Sequence, residues 1–353
     1  MAQGFEDQLR YGTGSRRQGP VRRPEALSPG MRRCFLCGAD MLGPATRHLV
    51  YPGGHRRAFP LACGSCGLLL EPEADRKTCR IHLADALAGD AYDPDPGTPY
   101  GLDLYTLRSA ATRVGRGVRP TGPEDHEALR HPHSVRAARA DLYDLGVGPV
   151  RPVSLGVLCR PQDLDAVRGL ATAQACWTDD IVILLDGEPD PTAHGTLPEG
   201  VRVRAQPMAG DFAAQRNALQ DHARHPWMLQ LDADETLDPA TGRLLPALAA
   251  LAEAGDVLSV GLPRRNRVDG VLSNVYPDVQ YRLNRRCVRY AGRVHERPSL
   301  DGGWPRSFIA LHGAIDHNLS RAHVLARSRR YEDLDPGRGR PEEETALLTP
   351  YRD

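Results

Sequence analysis

Between residues 151 and 232, apolar runs of strand length alternate with segments of helical spacing. That alternation restricts the fold more than any other feature of the chain. Val153 to Cys159 is a short apolar run suited to a buried strand. Asp163 to Ala175 follows with helical spacing, and Asp180 to Leu185, rich in Ile and Val, reads as a second buried strand. Val201 to Ala205 is a weaker third strand, Phe212 to Ala223 a second helix, and Trp227 to Leu231 a fourth strand. Strands alternating with helices predict an α/β domain whose parallel sheet is covered on both faces. Ligands of such sheets collect beyond the carboxyl ends of the strands.

The rest of the chain is organised around that domain. A length of 353 residues leaves room for about two domains. Basic and acidic side chains balance at 45 each, and 41% hydrophobic with 25% charged residues fits a soluble globular protein. No stretch approaches the ~18 to 20 apolar residues of a membrane span, so none is expected. The first residues lack the apolar core of a secretory signal. A cytoplasmic location, or the host cytoplasm for a viral source, is therefore expected. Residues 1–33 read as a disordered basic arm that includes Arg16, Arg17, Arg22, Arg23 and Arg32. Residues 91–150 read as a linker with a helix over Pro132 to Leu145, and residues 321–353 as a C-terminal helix with an acidic tail.

Residues 34–90 carry two Cys-x-x-Cys-Gly turns, Cys34/Cys37 and Cys63/Cys66. Each turn points two thiolates at one ion, and the glycine permits the tight backbone around the sulfurs. Two such turns make a tetrahedral S₄ site suited to structural Zn²⁺. The insertion between them is expected to form a β-hairpin around Tyr51-Pro-Gly-Gly. The flanking arginines are suited to phosphates, which makes nucleic acid a candidate partner.

The fourth strand runs into Asp232-Ala-Asp234-Glu235. Alternate carboxylates at a strand end can hold a divalent cation and, through it, a diphosphate. Upstream stands Gly210-Asp211-Phe-Ala-Ala-Gln-Arg216-Asn217-Ala-Leu, and downstream Tyr281-Arg-Leu-Asn-Arg-Arg and Tyr290-Ala-Gly-Arg-Val-His295-Glu296. With Asp179-Asp-Ile-Val-Ile-Leu-Leu-Asp186-Gly, these segments resemble, in order, the motifs of inverting family 2 glycosyltransferases. The likeness covers roughly residues 152–320. It implies the GT-A fold, a Rossmann-like nucleotide-diphospho-sugar transferase domain preceded here by a small zinc-ribbon-like module. The first strand departs from the family: Leu158-Cys159-Arg160-Pro161 replaces an Asn-Glu pair, which alters part of the nucleotide pocket.

The resemblance assigns roles residue by residue. Asp234 is expected to coordinate Mn²⁺ or Mg²⁺ directly, with His317 completing the site and His312 as its competitor. Asp232 contacts the metal through water, or else the donor's ribose. Asp186 holds the nucleoside, Asp190 keeps an acidic role beside it, and Asp211, Arg216 and Asn217 belong to the donor side. Glu296 is the candidate general base, with Asp278 as the fallback. Nine arginines between Arg264 and Arg297 suit an anionic donor, acceptor or both. The reading is a metal-dependent glycosyltransferase moving a sugar from a nucleotide-diphosphate donor to a hydroxyl. A hydroxymethylated DNA base, a glycan and a protein side chain all stand as acceptors. A catalytically degenerate, zinc-dependent binding module is the non-enzymatic alternative.

Overall fold

A computed structural model describes residues 33–188, 197–293, 295–334 and 341–352. It divides into two compact units that meet in sequence at Asp144 and Leu145. Residues 1–32, the expected basic arm, lie outside the described residues, as does Asp190.

In the first unit, β1 (Leu42–Val50) and β2 (Arg56–Cys63) pair antiparallel across a turn at Pro52–Gly54. This is the expected hairpin. Gly53 and Gly54 take φ of 82° and 84°, a region that glycine enters without a steric cost. β3 (Leu69–Leu70) extends this sheet, followed by α1 (Arg76–Ala86), whose first turn is capped by Asp75. β4 (Ala91–Tyr92), β5 (Tyr100–Gly101), α2 (Leu104–Thr112), β6 (Arg116–Pro120), α3 (Pro123–Ala128) and β7 (Ala140–Asp144) complete the unit. The two sheets run β1-β2-β3-β5 and β4-β7-β6.

Two expectations are corrected here. Residues 91–144 are not a linker, because β5 pairs with β3 and every residue of α2 is buried. The helix over Pro132 to Leu145 does not form. Its second half is β7, paired antiparallel with β6 along Ala140 to Asp144. Ala140 and Leu142 are buried while Asp141 is exposed, so burial follows the period of a strand. Val135, which the helix would have turned inward, is 52% exposed. Pairing with a distant strand outweighs a weak local pattern.

The second unit follows the sequence closely. β8 (Val153–Cys159), α4 (Leu164–Gln174), β9 (Ile181–Leu185), β10 (Val201–Ala205), α5 (Phe212–Asp221) and β11 (Trp227–Asp232) lie within a few residues of the expected bounds. After them come β12 (Glu235–Leu237), α6 (Pro239–Ala254), β13 (Ser259–Leu262), β14 (Arg264–Val268), β15 (Val271–Leu272) and β16 (Gln280–Arg285). The hairpin β17 (Arg289–Ala291) and β18 (Arg297–Ser299) precedes β19 (Ser307–Ile309), β20 (Ile315–Leu319), α7 (Arg321–Leu334) and α8 (Pro341–Leu348).

The main sheet has the order β10-β9-β8-β11-β16-β13-β19. β10, β9, β8 and β11 are parallel, and β16 enters antiparallel beside β11. A smaller sheet, β12-β20-β14-β15, stands at the carboxyl end of β11. The acidic tail is also corrected. α8 forms within it and buries Leu347 against Leu319 and Val324, an apolar anchor the acidic composition concealed.

Local chemistry fixes this arrangement. The buried Asp180 carboxylate accepts from Ser154 Oγ (2.6 Å), Arg202 Nη2 (2.5 Å) and the Arg224 N–H (2.8 Å), tying β9 to β8 and β10. On β8, Gly156 lets Leu219 of α5 approach closely; a Cβ there would lie 2.7 Å from the leucine side chain. Gly156→Ala should therefore cost about 1–3 kcal/mol by overpacking. Urea unfolding of the full chain, read as a lowered midpoint, checks this.

Candidate active site

The site assembles at the carboxyl end of the parallel strands. Asp186 follows β9, and its N–H donates to Cys159 O at 2.8 Å. Its Oδ1 accepts the Met208 N–H at 2.8 Å, pinning the segment that leads into α5. Asp232 ends β11, and Asp234 lies two residues on. Neither caps a helix, because α6 begins at Pro239 with its own cap, Asp238, accepting from the Ala240 N–H at 2.9 Å.

Arg216 is the centre of the cluster. It is 1% exposed, donates from Nη2 to Asp232 Oδ1 at 2.8 Å, and pairs through Nε with Glu296 Oε1. Arg282 of β16 reaches Asp232 Oδ2 at 3.2 Å and lies 3.9 Å from Glu296. Burial alone would lower the Arg216 pKa, but Asp232 and Glu296 outweigh it and hold the guanidinium firmly charged. Burial pushes the Asp232 carboxyl up against the pull of Arg216, and Glu235, Asp234 and Glu296 add to that push. Four carboxylates and two arginines thus share a small volume.

Asp234 belongs to a second network. Its Oδ2 lies 3.3 Å from His317 Nε2. His317 Nδ1 meets Asn266 Oδ1 at 2.7 Å, and Asn266 Nδ2 donates to Asp278 Oδ2 at 2.7 Å. Because the Asn266 amide donates to Asp278, its oxygen must accept, so Nδ1 of His317 carries the proton. Nε2 is then left either to donate to Asp234 or, once deprotonated, to offer a lone pair beside it. Burial pushes Asp234 up, but the hydrogen bond and charge of His317 prevail and bring it to about 2. A carboxylate oxygen and an imidazole nitrogen aimed at one space are donors suited to a divalent cation.

Asp278 is not placed to act as a base. It accepts from Arg264 (2.7 and 2.9 Å), Asn266 and Gln280 Nε2 (2.9 Å). Burial pushes it up, yet Arg264 and Asn266 hold it at about 2, too weak a base for a hydroxyl proton. Its backbone sits at φ 31°, a strained setting held by these bonds.

The α5 residues also take other work than the sequence suggests. Asp211 caps the helix, accepting the Ala214 N–H at 2.9 Å. Asn217 pairs with the Tyr290 backbone in both directions, at 3.0 and 2.7 Å, and fixes β17 on α5. His312 forms no part of the Asp234 network; His317 does, placed by the β12–β20 pairing of Glu235 with His317. Several contributors went unread: Glu235, which joins the Asp232 N–H to Arg264, then Asn266 and Arg282, and the α7 face with His323, Arg327 and Tyr331. The arginine surplus hinted at Arg282, and Glu235 stood in the Asp232-Ala-Asp234-Glu235 segment without a role.

In the first unit, the Cys34, Cys37, Cys63 and Cys66 sulfurs lie within 4.8 Å of one another, all buried. The Cys34–Cys66 and Cys37–Cys63 separations are 3.6 Å. A tetrahedral site with Zn–S bonds near 2.3 Å has S···S edges of about 3.8 Å, so the group fits zinc. Gly38 and Gly67, both at φ 85°, close the two turns.

The α/β domain, with carboxylates at the rim of its parallel sheet, agrees with the GT-A fold expected from the sequence. A family model described as "Glycosyl transferase family 2" matches residues 164–299. With a curated glycosyltransferase among its relatives, this match makes the chain a glycosyltransferase. It is similar to the lipopolysaccharide core biosynthesis glycosyltransferase LpsC of Rhizobium meliloti (strain 1021), at 25% identity over 219 residues, covering 57% of this chain and 78% of that one. Among solved structures, S. aureus TarS 1-349 aligns over 56% of this chain and 70% of its own at 12% identity, with a TM-score of 0.32. Its complex with UDP-GlcNAc aligns over the same shares at 11% identity and a TM-score of 0.33.

Asp278→Asn should cost about 2–3 kcal/mol at neutral pH, since it strips a buried guanidinium of one partner. The native carboxyl lies below its unfolded value, so this contribution is present above about pH 4 and fades as pH falls toward 2. Denaturant midpoints of the two proteins should therefore converge on acidification.

Proposed function

We propose that this chain transfers a sugar, with inversion, from a nucleotide-diphosphate donor to a saccharide hydroxyl, aided by Mn²⁺ or Mg²⁺. The observation that carries the reading is the division of the site about Asp232. Asp234 pairs with His317, whereas Asp232 shares Arg216 with Glu296. Asp234 and His317 would hold the cation. A bound cation supplies charge neutralisation for the departing diphosphate. Glu296 would accept the hydroxyl proton as the acceptor oxygen bonds to the anomeric carbon and the bond to the diphosphate breaks. Arg216 holds Glu296 in position for that role. Asp186, just after β9, would meet the nucleoside, with Asp190 in an acidic role toward the donor. The name of the relative from R. meliloti favours a saccharide acceptor. The case for a hydroxymethylated DNA base draws on the cysteine module and the basic arm together, and residues 1–32 of that arm lie outside the described residues.

The four cysteines we read as a structural zinc site that folds the first unit. Purified chain should contain about one zinc, and Cys37→Ser should remove it and lower the melting temperature. A metal-free wild type with unchanged stability would sink that reading.

Offered UDP-, GDP- and dTDP-sugars with Mn²⁺, the chain should release free nucleotide slowly from one of them. Asp234→Asn should cut that release by about 100-fold or more, as expected for loss of a charge-stabilising group. Glu296→Gln should abolish transfer to a saccharide. Release unaffected by Asp234→Asn, or no donor binding at all, would leave the degenerate binding module as the answer. Transfer to hydroxymethylated DNA alone would move the acceptor to nucleic acid.

A further inference from the structure

α7 lies along the whole site. His323, Arg327 and Tyr331 are spaced i, i+4, i+8 and share one face, which spans about 12 Å at 1.5 Å per residue. The two ends meet different chemistry. At one end His323 lies in the field of Asp234 and His317, the cation side. At the other, the Tyr331 ring packs edge-on against His295 at 5.0 Å and Phe212 at 6.4 Å. His295 immediately precedes Glu296 and sits at φ 53°, a strained setting for a residue with a Cβ. The contact with His295 places the ring at the base's end of the site.

Between them, the Arg327 guanidinium lies 5.6 Å from the Tyr331 ring centroid. Its ion pair with Glu343 of α8 is long, at 3.5 Å. Asp232 and Glu296 are already matched by Arg216 and Arg282. Arg327, beside the Tyr331 ring, is thus a cation beyond those the two carboxylates require.

We propose that the α7 face bearing Arg327 and Tyr331 is the acceptor wall of the site, and that it selects a saccharide carrying a carboxylate or phosphate. Tyr331 offers an aromatic surface to the sugar ring, and Arg327 a charge partner to its acidic group. Placing that surface beside His295 sets the acceptor hydroxyl near Glu296. This assignment rests on the glycosyl-transfer reading above.

The test uses the full chain with UDP and Mn²⁺ on immobilised saccharides in matched pairs, uronic acid against parent hexose and phosphorylated against free sugar. The wild type should hold the acidic member about five- to ten-fold more strongly, the size of one partly buried charge contact. Arg327→Ala should erase that preference and Arg327→Lys restore part of it. Tyr331→Ala should weaken both members of each pair, whereas Tyr331→Phe, which keeps the ring, should not. UDP affinity, titrated on the same variants, should change by less than about two-fold, the scatter of an uninvolved surface change. Equal retention of neutral sugars, a preference that survives Arg327→Ala, no retention of any saccharide, or a matching loss of UDP affinity would each overturn the assignment. A wild type that binds no nucleotide at all would instead overturn the glycosyl-transfer reading beneath it.

Discussion

A guanidinium buried away from water is stable only if carboxylates surround it, and Arg216 satisfies that condition at the point where three parts of the domain meet. It comes from α5, binds Asp232 at the end of β11, and binds Glu296 just before β18. Removing a charge from water costs several kcal/mol, so each partner is under strong pressure to stay in place. Arg282 repeats the bridge from β16. The sheet end, the helix before it and the hairpin after it are thereby held in one geometry. That geometry separates the base's carboxylate from the carboxylate that faces the imidazole.

The second network works by direction rather than by charge alone. Asp278 takes the Asn266 amide, the Asn266 oxygen takes the His317 Nδ1 proton, and Nε2 is turned to Asp234. A ligand histidine needs its second nitrogen fixed in this way. Arg264 joins the two networks through Glu235, which also holds the Asp232 N–H. Both carboxylates of the Asp-x-Asp segment are therefore set by buried polar groups that would be costly to leave unpaired.

Much of this was legible in the residues. Long apolar strands and their helices were readable because burial on both faces requires uninterrupted Val, Ile and Leu. The paired cysteines were readable because ligand spacing is a local property of the turn. Asp232, Asp234, Glu296 and His317 were readable as a set, through ordered motifs. Residues 132–145 misled because three apolar positions fit a helix, while the pairing with Arg116 to Pro120 that makes a strand is remote. The end of the chain misled because charge masked the leucines that anchor α8.

The sequence by itself determined the α/β frame, the two metal-ligand-like cysteine turns and the identity of the residues at the rim of the sheet. Those depend on periodicity and on neighbours a few positions away. Only the tertiary structure decided what each rim residue does. Asp211 became a helix cap, Asn217 a backbone clamp and Asp278 a hydrogen-bond hub. Arg216 became the clamp on Asp232 and Glu296, and α7 brought Tyr331 beside His295. Apart from the local cap at Asp211, these roles arise between residues 12 to 80 positions apart, where loop closure and burial choose the partner and no local pattern records the choice.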